Sequence, residues 1–163
     1  MKILLVSDTH SDCSYLANTL LPKYADEIQT AVHLGDFAAD LMRLQPTFTS
    51  IKMVAVGGAF EHDEKTQHIL EVDDGEYKCR ILLLHDHTVH VKTNLDRLIY
   101  YARQLEVNAC FFGHTHMPVI LEEHGIFFMN PGSLTNPRPG NKGSYGLVTV
   151  SQQGKFHGEV TTL

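Results

Sequence analysis

The chain has 163 residues, 43% of them apolar, and a formal charge of -6. That length and apolar content suffice for one domain with a core of its own and no disulfide support. The acidic balance, with no basic stripe, excludes an extended nucleic-acid surface, because backbone-phosphate affinity needs clustered Lys and Arg.

No apolar run approaches the roughly 18 residues of a membrane span, and the opening Met-Lys-Ile-Leu-Leu-Val-Ser-Asp lacks a signal-peptide pattern. A cytoplasmic, single-domain protein over residues 1–163, without membrane contact, is expected. Cys13, Cys79 and Cys110 are odd in number and lack paired metal-type spacing, so they read as small buried hydrophobes. Eleven histidines are the unusual feature, since imidazole is the commonest metal ligand.

Lys2 to Ser7 is a short apolar run that reads as a buried strand, ending in Asp8-Thr9-His10. A helix is expected next, with Leu16, Ala17, Leu20 and Leu21 on one face, Ser11 or Asp12 as cap, and Pro22 stopping or kinking it. Thr30 to Leu34 and Ile51 to Val56 are further strands, ending in Gly35-Asp36 and Gly57-Gly58. This alternation of strand and helix predicts a parallel sheet.

Ile69 to Val72 and Tyr77 to Leu84 flank the turn signature Asp73-Asp74-Gly75-Glu76 and predict a hairpin, whose second strand runs into His85-Asp86-His87. Thr93 with Asp96 resembles a capping box ahead of the stripe Leu95, Leu98, Ile99, Ala102 and Leu105. Ala109 to Phe112 is a strand ending in Gly113-His114-Thr115-His116. Val119 to Leu121 and Ile126 to Met129 predict a hairpin across His124-Gly125, and the tail adds Tyr145 to Val150 and Lys155 to Val160, joined at Gly154. Phe111-Phe112 and Phe127-Phe128 read as core facing two layers.

Four polar clusters thus fall just after predicted strand ends, the edge at which open α/β sheets bind ligands. Carboxylate oxygens with imidazole nitrogens suit Mn(II), Fe or Zn, and one bridging carboxylate can hold two such ions roughly 3.5–4 Å apart. Asp36 is the candidate bridge, and the glycines beside Asp36 and His114 allow sharp turns and close approach.

These motifs, Asp8-x-His10, Gly35-Asp36, His85-x-His87, Gly113-His114-x-His116 and Asn130-Pro131-Gly132-Ser133, resemble those of the calcineurin-like metallophosphoesterases, in particular small bacterial and archaeal phosphodiesterases. The resemblance covers nearly the whole chain. It implies an α/β fold, a four-layer α-β-β-α sandwich of two mixed β-sheets flanked by helices. It also implies that Asp8, His10 and His116 bind one metal, that His85 and His114 bind the other, and that Asp36 bridges. A dinuclear metal-dependent phosphoesterase is expected, a phosphodiesterase rather than a monoesterase, with a metal-bridging hydroxide attacking phosphorus in line. Its two divalent ions would be Mn, with Zn, Fe or Ni as alternatives, its substrate a small phosphate ester, and its assembly a homodimer or homotetramer.

One element departs from the pattern. Where the family has Asn as a ligand of the second metal, this chain aligns Ala59 within Gly57-Gly58-Ala59-Phe60-Glu61-His62-Asp63. A methyl group cannot coordinate, so the second site is expected to fall to Asp36, His85 and His114 unless Glu61 or His62 supplies a ligand. His87 is the candidate proton donor to the leaving group or substrate contact, and Arg138 the candidate bidentate phosphate contact. His33, His68, His90, His124 and His157 are read as structural or surface residues. Phe60 beside Ala59 is similar to the metallophosphoesterase-like subunit of the retromer sorting complex, which implies the rival reading of a catalytically weak or inactive binding scaffold.

Overall fold

A computed structural model describes residues 1–61, 65–73, 75, 77–85 and 95–163. The strands are β1 (Lys2–Val6), β2 (Thr30–His33), β3 (Lys52–Ala55), β4 (Gln67–Asp73), β5 (Lys78–Leu84), β6 (Ala109–Phe112), β7 (Pro118–Glu123), β8 (Ile126–Pro131), β9 (Ser144–Val150) and β10 (Phe156–Thr162). They form two five-stranded sheets in the orders β10-β9-β1-β2-β3 and β4-β5-β6-β8-β7. Both are mixed: β1-β2-β3 and β5-β6-β8 pair in parallel, while the β9, β10, β4 and β7 pairings are antiparallel.

Side-chain alternation along the strands builds the four layers. Ile3 and Leu5 of β1 face the other sheet, in one cluster with Phe111, Phe127 and Met129. Leu4 and Val6 point the opposite way, onto Leu16, Leu20, Leu21 and Tyr24. In the second sheet Cys110, Phe112 and Phe128 face Leu98 and Ala102 of α3 (Asp96–Gln104). The doubled phenylalanines therefore serve two different cores. No helix among the described residues is long and apolar enough to cross a membrane.

The element after β1 differs from a simple capped helix. A π-helical turn, Leu16–Leu20, runs into α1 (Leu21–Tyr24), and Pro22 sits in the first turn of α1 instead of ending the helix. Proline has no N–H to donate, and the wider i→i+5 bond from Leu21 N–H to the Leu16 carbonyl takes the chain past it. Asp12 serves the entry by accepting from Ser14 N–H at 3.1 Å. The expected box at the start of α3 involves Thr93, which lies outside the described residues; Leu95 stands at the N-cap with no side-chain cap.

The hairpins follow their turn signals. β4 pairs β5 from Gln67–Leu84 to Asp73–Lys78, and β7 pairs β8 across His124 and Gly125, both with positive φ. Phe111, buried between the sheets, meets Phe127 and Phe156 at centroid distances of 6.4 Å in edge-to-face geometry. Phe111→Ala is expected to lower unfolding free energy by about 3–5 kcal/mol, from lost burial plus the cavity left behind; urea denaturation measures it.

Candidate metal centre

β1, β2, β5 and β6 all end at one edge of the sandwich, and the candidate ligands follow directly: Asp8 and His10 after β1, Asp36 after β2, His85 after β5, and His114 and His116 after β6. Backbone bonds lash these turns together, Asp8 N–H donating to the Gly35 carbonyl at 3.0 Å and Gly113 N–H to the Leu84 carbonyl at 3.2 Å. Six residues from sequence-distant turns are thereby brought into two groups, Asp8, His10, Asp36 and His116, and Asp36, His85 and His114, with the offered atoms of each group within 4.8 Å of one another.

Asp36 belongs to both groups. Its Oδ1 lies 3.2 Å from His85 Nε2 and accepts from Ala59 N–H at 2.8 Å, while Oδ2 lies 3.9 Å from His10 Nε2. Burial alone would push Asp36 up, but the contact with His85, the Ala59 N–H and His10 hold its carboxyl down at about 2.

Two imidazoles are oriented by backbone. His85 Nδ1 donates to the Leu34 carbonyl at 2.7 Å, and His116 Nδ1 to the Asn136 carbonyl at 2.5 Å. A neutral ring held this way presents its Nε2 lone pair toward a carboxylate, Asp36 for His85 and Asp8 Oδ1 for His116 at 3.0 Å. Two lone pairs facing each other repel unless positive charge lies between them, whether a proton or a metal cation. The Asp8 carboxylate accordingly raises His116 above the usual imidazole value; burial opposes the rise of His85, and Asp36 and Asp8 outweigh it.

Among the described residues Asp8 Oδ1 and His10 Nε2 are buried atoms without a hydrogen-bond partner, Asp8 Oδ1 facing His116 Nε2 as a close ion pair at 3.0 Å. Buried polar atoms are rarely left so. With hard oxygens and borderline nitrogens converging on two points, this donor set fits divalent transition-metal ions.

The backbone is unusual at the same edge. Asp8, His10, Asp36, His114 and His116 all have positive φ, at 54°, 46°, 55°, 68° and 59°. Left-handed backbone at non-glycine residues costs on the order of 1–2 kcal/mol apiece and clusters where function over-determines it. Gly35, at φ 94°, leaves no room for a Cβ, which would stand 2.5 Å from the His85 ring. A Cβ at Gly113 would stand 2.2 Å from Ser7 Oγ.

The turns are held by residues for which the sequence suggested no role. Ser133 Oγ donates to the Asp8 carbonyl at 2.9 Å, Thr135 Oγ1 to the Thr9 carbonyl at 2.6 Å, and Asn130 Nδ2 to the Gly113 carbonyl at 2.9 Å. The Asn130-Pro131-Gly132-Ser133 motif is thus a bracket behind two ligand turns. Small polar residues just past an apolar strand were its visible signal; their partners lie 17 to 126 positions away in the chain.

A second buried support joins the first two turns. Gly35 N–H donates to His33 Nδ1 at 3.2 Å, which leaves Nε2–H to donate to Thr9 Oγ1 at 3.0 Å, and Thr9 donates to Asp40 Oδ2 at 2.7 Å.

The remaining candidates are placed as follows. Glu61, the candidate replacement ligand, accepts through Oε1 from Ala38 N–H at 2.5 Å and through Oε2 from Gly58 N–H at 2.6 Å, so both oxygens serve the turns around Asp36. Ala59 offers only its backbone N–H to Asp36. Arg138 donates Nε to the Thr115 carbonyl at 2.9 Å, on the exposed rim beside His116. His62, His87 and His90 lie outside the described residues.

Fold and cluster together define a four-layer sandwich with a metal-binding edge. The sequence profile of the calcineurin-like phosphoesterase superfamily domain matches residues 1–153, and the chain belongs to that superfamily. It is 27% identical to the probable metallophosphoesterase YsnB of Bacillus subtilis over 150 residues, 92% of this chain and 85% of YsnB. It is 49% identical to the phosphodiesterase YfcE of Escherichia coli over 37 residues, 23% of this chain and 20% of YfcE. Among solved structures, Vps29 of Entamoeba histolytica complexed with zinc is similar at a TM-score of 0.75 and 22% identity, covering 99% of each chain.

The buried support predicts a pH effect. Burial, more than any neighbour, lowers His33 from 6.5 to about 4. A lowered folded-state value means the unfolded chain binds the extra proton first, so the contribution of His33 is complete above about pH 6.5 and is lost as pH falls toward 4. Between about pH 7.5 and about pH 5 the expected loss is roughly 2 kcal/mol. His85 and His116, raised by their carboxylate neighbours, contribute with the opposite sign, so the effect is read as a difference: in urea titrations at both pH values, wild type should lose roughly 2 kcal/mol more than His33→Gln.

Proposed function

We propose that this chain is a dinuclear metal-dependent phosphodiesterase. The observation that carries the reading is the Asp36 carboxylate, shared by both ligand groups with one oxygen toward each. Asp8, His10, Asp36 and His116 would hold one ion, and Asp36, His85 and His114 the other. A pair of divalent cations, Mn(II) first among those the donors suit, supplies Lewis acidity and lowers the pKa of bound water to near neutrality.

The chain's own part is positioning and charge. Asp36 keeps its negative charge through the physiological range because its carboxyl is held at about 2. Leu34 and Asn136 carbonyls keep Nε2 of His85 and His116 turned to the ligand points. Arg138, tied by Nε to Thr115, is positioned to offer its guanidinium to a non-bridging phosphoryl oxygen. His87 is proposed from the sequence as the proton donor to the departing alkoxide or aryloxide. The phosphodiesterase name of YfcE and the metallophosphoesterase name of YsnB support the reaction class.

Ala59 favours a second reading. Among the described residues the second group has three donors against four in the first. With one weak site, the fold would serve as a metal-stabilised scaffold, a role in keeping with its likeness to Vps29.

Protein stripped of metal and reloaded with Mn(II) is expected to turn over an activated phosphodiester faster than an activated phosphomonoester, and Asp36→Ala to fall to the metal-free level. Turnover equal to that control would leave the scaffold reading standing. Calorimetric Mn(II) titration is expected to resolve a tight and a weak site, with Ala59→Asn tightening the weak one by roughly tenfold or more.

A further inference from the structure

Two aromatic side chains border the ligand cluster on the His10 side. Phe37 follows Asp36 directly, and Phe60 follows Ala59, whose N–H bonds Asp36. Their rings form a triangle with the imidazole of His10: Phe37 and Phe60 each have their centroid 5.7 Å from that of His10, and they lie 6.0 Å from one another. Phe60 packs edge-on to His10 at 72°, and 62% of its surface remains exposed.

This arrangement has a cost that the fold does not require. Phe60 belongs to none of the three apolar cores, so its exposure is not the edge of a packed interior. Phe37 holds φ at 74°, a conformation rare for a bulky side chain. Apolar surface beside convergent polar groups is how small-molecule sites fix the non-reacting part of a ligand.

From this aromatic wall we infer that the substrate's ester arm is itself aromatic, an aryl ring or a nucleobase that stacks on the exposed face of Phe60 while its phosphoryl group lies at the Asp36-centred cluster. The inference rests on the phosphoesterase reading and adds the substrate class to it. Phe60 acts as a specificity-determining residue: an alkyl arm meets the same cluster but gains no stacking, and ring-on-ring contact of this kind is sequence-tolerant yet selective for π systems. A single ring flanked by one exposed wall suits a small ester, in keeping with a chain charge of -6 that disfavours long polyanions.

Phosphonates, which cannot be hydrolysed, test binding apart from turnover. Calorimetry on Mn(II)-loaded protein would compare phenylphosphonate, methylphosphonate and a nucleoside 5′-methylenephosphonate, in which carbon replaces the ester oxygen between C5′ and phosphorus. The wild type is expected to bind the phenyl compound roughly 5- to 100-fold more tightly than the methyl compound. Phe60→Ala should collapse that ratio to within about twofold, and Phe60→Tyr should restore it, because only the ring is retained. The nucleoside ligand assigns the source: tighter binding than the phenyl compound identifies a nucleobase arm, weaker binding a simple aryl arm.

Equal binding of phenyl- and methylphosphonate by the wild type, or a preference that survives in Phe60→Ala, overturns this inference and leaves the phosphoesterase reading intact. Failure of all three ligands to bind protein that has taken up Mn(II) overturns both. Metal stoichiometry measured on each variant separates loss of stacking from disturbance of His10.

Discussion

The two oxygens of Asp36 face different histidines, His85 on one side and His10 on the other, and the remaining site is arranged around that division. A carboxylate can be shared only if its plane is fixed. Here the Ala59 N–H fixes it, approaching Oδ1 from the turn after β3 while the turn after β5 supplies His85. Glu61 in turn fixes the β3 turn by accepting from Gly58 and Ala38. A residue that read as a replacement ligand thus acts through the backbone of Asp36's neighbours.

Holding five candidate ligands in left-handed backbone costs several kcal/mol in sum by ordinary estimates, and the cost has to be offset elsewhere. Three apolar clusters supply the offset, with β1, β2, β5, β6 and β8 each contributing alternate side chains to two of them. The brackets from Asn130, Ser133 and Thr135, together with the His33-Thr9-Asp40 chain, transmit that rigidity to the turns. Rigid strands below and hydrogen-bonded turns above are the arrangement that holds ligands to a fixed geometry.

Much of this was legible in the chain. Apolar runs ending in Asp-x-His, Gly-Asp, and His-x-His marked strand ends, and the turn signatures at Gly75 and at His124-Gly125 marked the hairpins, because both signals are local and act within a few residues. Pro22 was legible only in part for the same reason: local rules stop or kink a helix there, and the π turn before it shifts the bonding register so that the helix does not stop but runs on to Tyr24. The support of the site was not legible, since Thr9 meets Asp40 across 31 positions and Ser133 meets Asp8 across 125, separations that no pattern in a single sequence encodes.

By itself, then, the sequence determined which side chains offer ligand chemistry, that each follows a strand, and that Ala59 contributes no donor atom from its side chain, since these depend on residue identity and short-range periodicity. Tertiary structure alone decided which oxygen of Asp36 faces His85 and which faces His10, that Glu61 serves backbone amides, and that Phe37 and Phe60 close against His10. Those facts depend on which strand ends become neighbours when two sheets stack, and that choice is made by burial of the whole apolar surface at once, not by any residue in its own segment.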